Sequence, residues 1–312
     1  MGIPFYYGDL IKKYPDIIEK PNKINVLFFD YNGLVHPIAH DTLCNGKTED
    51  EFFHLLWKKT INIVEQVKPE KYIISIDGIA PLAKVCQQRK RRYLSAKKQW
   101  DTNAITCGTP FMDRLHKYLA KRHNNIDAMY NNGEGEHKIM EYIYNDTKDT
   151  KDNTYLIHGL DADLILLSLM SNKSDNIYLM RENNNTITYI SIKKIKQYVE
   201  LEWSNVFSKD ADIINSYCVA LSIMGNDFIP HLIGLSITHN GINILKKICQ
   251  DTCLVSDNKI NNAELQTVFK RLITYEDKFM INESKTWRKD YYNNKIYCYD
   301  VPMACKLYLD GI

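Results

Sequence analysis

The chain has 312 residues, of which 45% are hydrophobic and 25% charged, with a formal charge of +2 from 40 basic and 38 acidic groups. These are ordinary globular values, which set a prior of one large or two small domains and exclude collagen-like, disordered or uniformly basic classes. No apolar run approaches the ~18 residues of a membrane span, and residues 1–15 lack the basic start and apolar middle of a signal peptide. Residues 24–30 are an apolar run ending in Asp30 and read as a buried strand. A helical pattern covers 51–66, and a second buried strand, 71–77, ends in Asp77. Helical patterns follow over 82–99 and 109–122, then a weaker strand over 127–130 and a helix over 135–146. Strands over 154–159 and 176–182 flank a helix over 163–171. Asn183, Asn184 and Asn185 mark a hairpin tip leading into a further strand, and 211–224 reads as a helix.

Strands separated by helices predict an α/β fold, a parallel, Rossmann-like sheet flanked by helices. Beyond residue 232 the strand pattern fades, and 240–250 and 261–275 read as helices. The expected organisation is therefore an α/β core over 1–232 and a mainly helical extension over 233–312. The eight cysteines contain no CxxC pair, which favours reduced thiols over disulfides or zinc.

The acidic residues stand at strand ends. Asp30 closes the first strand and Asp77 the second. Glu134 and Glu136 follow the third, Asp161 and Asp163 the fourth, and Asp227 follows the helix over 211–224. In an open parallel sheet the carboxyl ends of the strands share one rim, where ligands bind. Six of these carboxylates are expected to meet there, with Asp227 joining if its helix packs along the sheet. Clustered carboxylates raise one another's pKa unless cations intervene. Mg²⁺ or Mn²⁺, hard ions that prefer oxygen ligands, fits such a set, and two ions would clamp the attacking and leaving oxygens of a phosphodiester.

Beside these acids lies a basic segment. Residues 82–99 hold seven Lys or Arg and no acid, and Lys84, Gln88, Arg91 and Arg92 fall on one helical face. That face has the donors for a terminal phosphate. A phosphate pocket beside a two-metal site sets a scissile bond at a fixed distance from a chain end, as an exonuclease requires. His36, six residues past Asp30, suits stacking on a nucleobase or is an ordinary loop histidine. His137 and His231 flank the acidic motifs and are expected to act as supporting donors.

Several long motifs occur in order: MGIPFYYGDLIKKYP, FFDYNGLVH, IDGIAPLAKVCQQRKRR, ITCGTPFM, GEGEHKIMEYI, HGLDADLILLSL and MGNDFIPHL. Together they resemble the Xrn-type 5′→3′ exoribonucleases from residue 1 to about 235. The acid pattern is shared with flap endonucleases and related 5′ nucleases of PIN-like fold, whereas the arrangement over residues 80–92 resembles the Xrn branch. The resemblance implies metal binding by Asp30, Asp77, Glu134, Glu136, Asp161, Asp163 and Asp227. It implies a pocket of Lys84, Gln88, Arg91 and Arg92 that selects a 5′-monophosphate, and base stacking by His36. It also implies that Gly2 and Pro4 belong to a segment packed near the active site.

The expected activity is metal-dependent 5′→3′ hydrolysis of single-stranded RNA carrying a 5′-monophosphate, with Mg²⁺ as cofactor, two ions in the site and Mn²⁺ as a substitute. No membrane association is expected, and the expected location is cytoplasmic, with the nucleus as alternative. A flap-type DNA nuclease and a non-catalytic RNA-end binder are the alternative functions. The family's second region supplies an aromatic partner for the stacking histidine. Here only its opening is visible before Ile312, as in a fragment or in a compact form such as a large DNA virus encodes, and Trp203 or Trp287 is the expected substitute.

Overall fold

The computed structural model describes residues 3–80, 100–127, 130–146, 153–159, 161–183, 186–225 and 232–281, with positions 85, 88, 89, 93, 300, 302, 303 and 306. In chain order the elements are α1 (Tyr6–Lys13), β1 (Val26–Asp30), α2 (Asn32–Asp41), α3 (Glu49–Val67), β2 (Lys71–Ser75), α4 (Pro110–Ala120), β3 (Ile126–Asp127) and α5 (Gly135–Asn145). They continue with β4 (Tyr155–His158), α6 (Asp163–Leu169), β5 (Ile177–Asn183), β6 (Thr186–Ser191), α7 (Ile192–Trp203), α8 (Ile213–Ser222), α9 (Gly241–Ile248), β7 (Val255–Ser256), β8 (Lys259–Ile260) and α10 (Asn262–Ile281). No described helix is long and apolar enough to cross a membrane.

The chain divides into two compact units, Asp16–Lys193 and a second made of Met1–Pro15 with Lys194–Ile312. The border expected near 232 falls inside the second unit, and the first fifteen residues join that unit as well.

The first unit is built on a six-stranded sheet of order β3-β2-β1-β4-β5-β6. The first five strands are parallel, and β6 returns antiparallel to β5 through the hairpin read from the asparagines. Strand β1 is buried along its whole apolar length because it lies between β2 and β4 with helices on both faces. Alternation splits its side chains. Leu27 and Phe29 join Ile74, Ile76, Leu156 and Met180 in a core shared with α2, α3 and α4. Phe28 points the other way, edge-on to Tyr142 of α5 at 5.3 Å between ring centroids. Two caps fix helix starts. Thr48 and Glu51 form a capping box at α3, and the Thr109 hydroxyl accepts from the Met112 amide at the start of α4, with Pro110 in the first turn.

Among the described residues the second unit is helical apart from the small β7-β8 hairpin, which the sequence pattern does not predict. Its core holds Trp203, ringed by Phe207 and Tyr217 at 5.3 and 5.1 Å. The Tyr6 and Tyr217 hydroxyls share a buried hydrogen bond of 2.8 Å. The described cysteines 44, 107, 218, 249 and 253 are free thiols, as expected.

Candidate active site

The parallel register sets the rim. Asp30, the last residue of β1, pairs with Ser75, the last of β2, and Phe29 pairs with His158, the last of β4. Asp77 therefore lies two residues past its strand and Asp161 three past its own, so both leave the sheet at the carboxyl end. The loop after β3 returns to the same place, because Gly78 donates to the Gly133 carbonyl at 2.9 Å and Gly133 donates to the Ile79 carbonyl at 3.0 Å. Gly78 allows that approach: a Cβ there would stand 1.7 Å from the Asn131 carbonyl oxygen.

Four acids gather around Asp30. Its carboxyl is pushed well above the usual carboxylate range, first by burial and then by the charges of Asp77, Glu136, Asp161 and Glu134. Glu134 is buried, at 5% exposure. Glu134, Glu136 and His137 offer ligand atoms all within 4.8 Å of one another, with His137 Nδ1 4.0 Å from Glu134 Oε2. Asp163 is the first residue of α6, two positions past Asp161.

Asp77 is held from two sides. Asn32 donates its amide to Oδ2 at 2.5 Å and the Gly135 backbone N–H donates to Oδ1 at 2.7 Å. The second contact explains the glycine between the two glutamates. A Cβ on Gly135 would lie 2.9 Å from Asp30 Oδ1 and 3.3 Å from Asp77 Oδ1, so the amino end of α5 can rest on the carboxylates only without a side chain.

The family model described as XRN 5′-3′ exonuclease N-terminus matches residues 1–99 and 94–183. The chain belongs to this Xrn family. It resembles 5′-3′ exoribonuclease 2 of Candida glabrata, 28% identical over 87% of this chain and 38% of the relative. It also resembles 5′-3′ exoribonuclease 1 of Homo sapiens, 30% identical over 78% of this chain and 18% of the relative. The chain thus spans less than half the length of these curated relatives. Among solved structures, the catalytic core of Rad2 in complex with DNA substrate matches with a TM-score of 0.55 at 14% identity, covering 100% of this chain and 86% of that one. This likeness concerns the fold, which is the expected 5′-nuclease type of α/β sheet flanked by helices.

Within this Xrn chain, two side chains of the site escaped the sequence reading. Asn32 stands two residues past Asp30, in a segment whose acids alone carry an evident ligand pattern. Lys138 is buried at 5% exposure, donates to the Ile76 carbonyl at 2.9 Å and lies 3.6 Å from Asp127. Its spacing of four from Glu134 puts both on one helical face, a signal available in the sequence. Of the expected phosphate-pocket residues, Gln88 is helical and partly exposed. Lys84, Arg91 and Arg92 lie outside the described residues, as do Asp227, His231, Gly2 and Trp287. His36 is exposed, on α2 rather than in a loop. Trp203 is 2% exposed and occupied by Phe207 and Tyr217, so it does not take the role of stacking partner.

Proposed function

We propose that this chain is a metal-dependent 5′→3′ exoribonuclease that takes single-stranded RNA with a 5′-monophosphate and releases nucleoside 5′-monophosphates. The observation that carries the reading is the gathering of Asp77, Glu134, Glu136 and Asp161 around Asp30, from segments at the ends of four strands or the loops beyond them. The names of the curated relatives support RNA as substrate and 5′ ends as the point of attack.

The donor set fits hard divalent cations: it consists of carboxylate oxygens, one of them buried, with His137 at its edge. Asp30, Asp77, Glu134, Glu136, Asp161 and Asp163 are the residues proposed to hold Mg²⁺ or Mn²⁺, with Asp227 as a seventh. When bound, such ions supply Lewis-acid activation of water and neutralise charge on the scissile phosphate. The protein's own part is orientation. Asn32 and the Gly135 amide fix both oxygens of Asp77, and Lys138 ties the start of α5 to the end of β2. Lys84, Gln88, Arg91 and Arg92 are proposed to grip the terminal phosphate, with charge-assisted forks that a 5′-hydroxyl cannot satisfy. His36, exposed on the helix that follows Asp30, is proposed to stack on a base.

The test incubates the protein and Mg²⁺ with matched RNAs carrying a 5′-monophosphate, 5′-hydroxyl or 5′-triphosphate, and with a 5′-flap DNA. The reading expects fast loss of the monophosphorylated RNA alone and no turnover of any strand by Asp161→Ala. Equal decay of all three RNAs would remove the pocket from the account, and preferential cutting of the flap would turn the reading to a DNA nuclease.

A further inference from the structure

Exposed apolar side chains stand on the rim of the acidic site. Tyr130 is 58% exposed and Ile79 62%. Their loops are tied together, because Ile79 accepts from Gly133 through the backbone contact that brings the β3–α5 loop to the end of β2. Tyr130 is four residues before Glu134, so its Cα lies within ~14 Å of that acid however the loop runs.

An exposed aromatic costs solubility and gains nothing from the core. This one is nevertheless held in place. Its hydroxyl donates to Asp113 Oδ1 at 2.5 Å, and Asp113, in the first turn of α4, is itself paired with Lys117 at 2.6 Å. The ring meets His116 edge-on at 5.3 Å between centroids. Two side chains of one helix, one of them anchored by a third, therefore fix a ring that remains largely open to solvent. A fixed, open ring is the form of a stacking platform, since little conformational entropy is lost when a flat partner settles on it.

We propose that Tyr130, on the loop tied to Ile79 through Gly133, forms a nucleobase-stacking subsite for the single strand that runs through the acidic site. The inference rests on the reading of the chain as a nuclease of single-stranded RNA. The subsite is separate from His36, which belongs to α2 six residues past Asp30. Stacking reads the π-face of a base and not its hydrogen-bonding edge, so the subsite accepts all four bases and places the strand without selecting sequence.

The experiment measures binding of a 5′-phosphorylated 12-nucleotide RNA, with 2-aminopurine at successive positions from the 5′ end, in Ca²⁺ in place of Mg²⁺. The wild-type protein is expected to quench 2-aminopurine at one position near the 5′ end. Tyr130→Ala is expected to lose that quenching and to bind roughly fivefold or more weakly, while an abasic residue at the same position removes the difference between the two proteins. Tyr130→Phe keeps the ring and is expected to retain most of the quenching. Unchanged binding and quenching by Tyr130→Ala would overturn the subsite and leave the nuclease reading standing. So would an equal loss of affinity for intact and abasic strands, which would mark a folding defect. Failure of the wild-type protein to bind the strand at all would overturn both.

Discussion

Asn32 sits two residues past Asp30 and gives its amide to Asp77, so a residue just beyond β1 holds the acid that follows β2. Removing such a support around a metal ligand lowers metal affinity or activity by about 10–100-fold in general. Asn32→Ala is expected to fall in that range for turnover of 5′-phosphorylated RNA with its circular dichroism unchanged, and full activity would show that the Gly135 amide alone positions Asp77. His158 offers a test of the core beneath the site. It is buried against Phe29 at 5.6 Å between ring centroids. Burial pushes its pKa down to about 4, with Lys59 adding to the shift and Glu182 opposing it. The unfolded chain then binds a proton between pH ~6.5 and about 4 that the folded chain refuses, so folding stability falls as pH falls through that window. The loss attributable to this ring is up to roughly 3 kcal/mol. His158→Phe is expected to flatten the slope of denaturation midpoint against pH there, and an unaltered slope would assign the acid sensitivity to other groups.

At the scale of elements, the strands and most helices were legible because their apolar runs are long and their ends are marked. The run ending in Asp30 is continuous because both faces of its strand are covered, whereas β2, before Asp77, is buried only over its last residues. Helix α2 was not legible. Asn32, Gly33 and Pro37 are loop signals, yet Leu34, Val35 and Ala39 are drawn into the sheet's core and the helix forms around them. Helix α7 was likewise missed, since it follows β6 without a break. It carries Glu202, which accepts from Lys13 and Lys246, each at 2.6 Å, and from the Tyr14 hydroxyl. Although burial pushes the Glu202 carboxyl up, these three donors bring it down to about 2. They tie the end of α1 to α7 and α9, and Tyr14 adds a stacked contact with Tyr198 at 4.1 Å. Glu202→Gln weakens three charge-assisted contacts at once and is expected to cost about 1–3 kcal/mol. Faster hydrogen exchange over α1 would report it, and exchange equal to wild type would show that Tyr6 and Tyr217 hold α1 unaided.

Over the whole molecule, the acidic site was legible because a parallel sheet sends every strand end to one rim, so acids far apart in sequence needed only the strand order to be gathered. What the sequence left hidden is the second layer: the glycine that lets α5 touch two carboxylates, the lysine under its first turn, and the asparagine between two acids. Each works through a contact between segments, which no periodicity reports. The separation of Met1–Pro15 from the sheet that follows it was hidden for the same reason, since its partners Tyr217 and Glu202 lie about two hundred residues on. In the proposed function these scattered carboxylates form one cradle for divalent cations. Mn²⁺ titration followed by electron paramagnetic resonance tests it directly. Two bound, magnetically coupled ions are expected in the wild-type protein, with coupling lost in Asp30→Asn, Glu136→Gln and Asp161→Asn alike. Mn²⁺ binding that is single, or that survives each of the three substitutions unchanged, would contradict it.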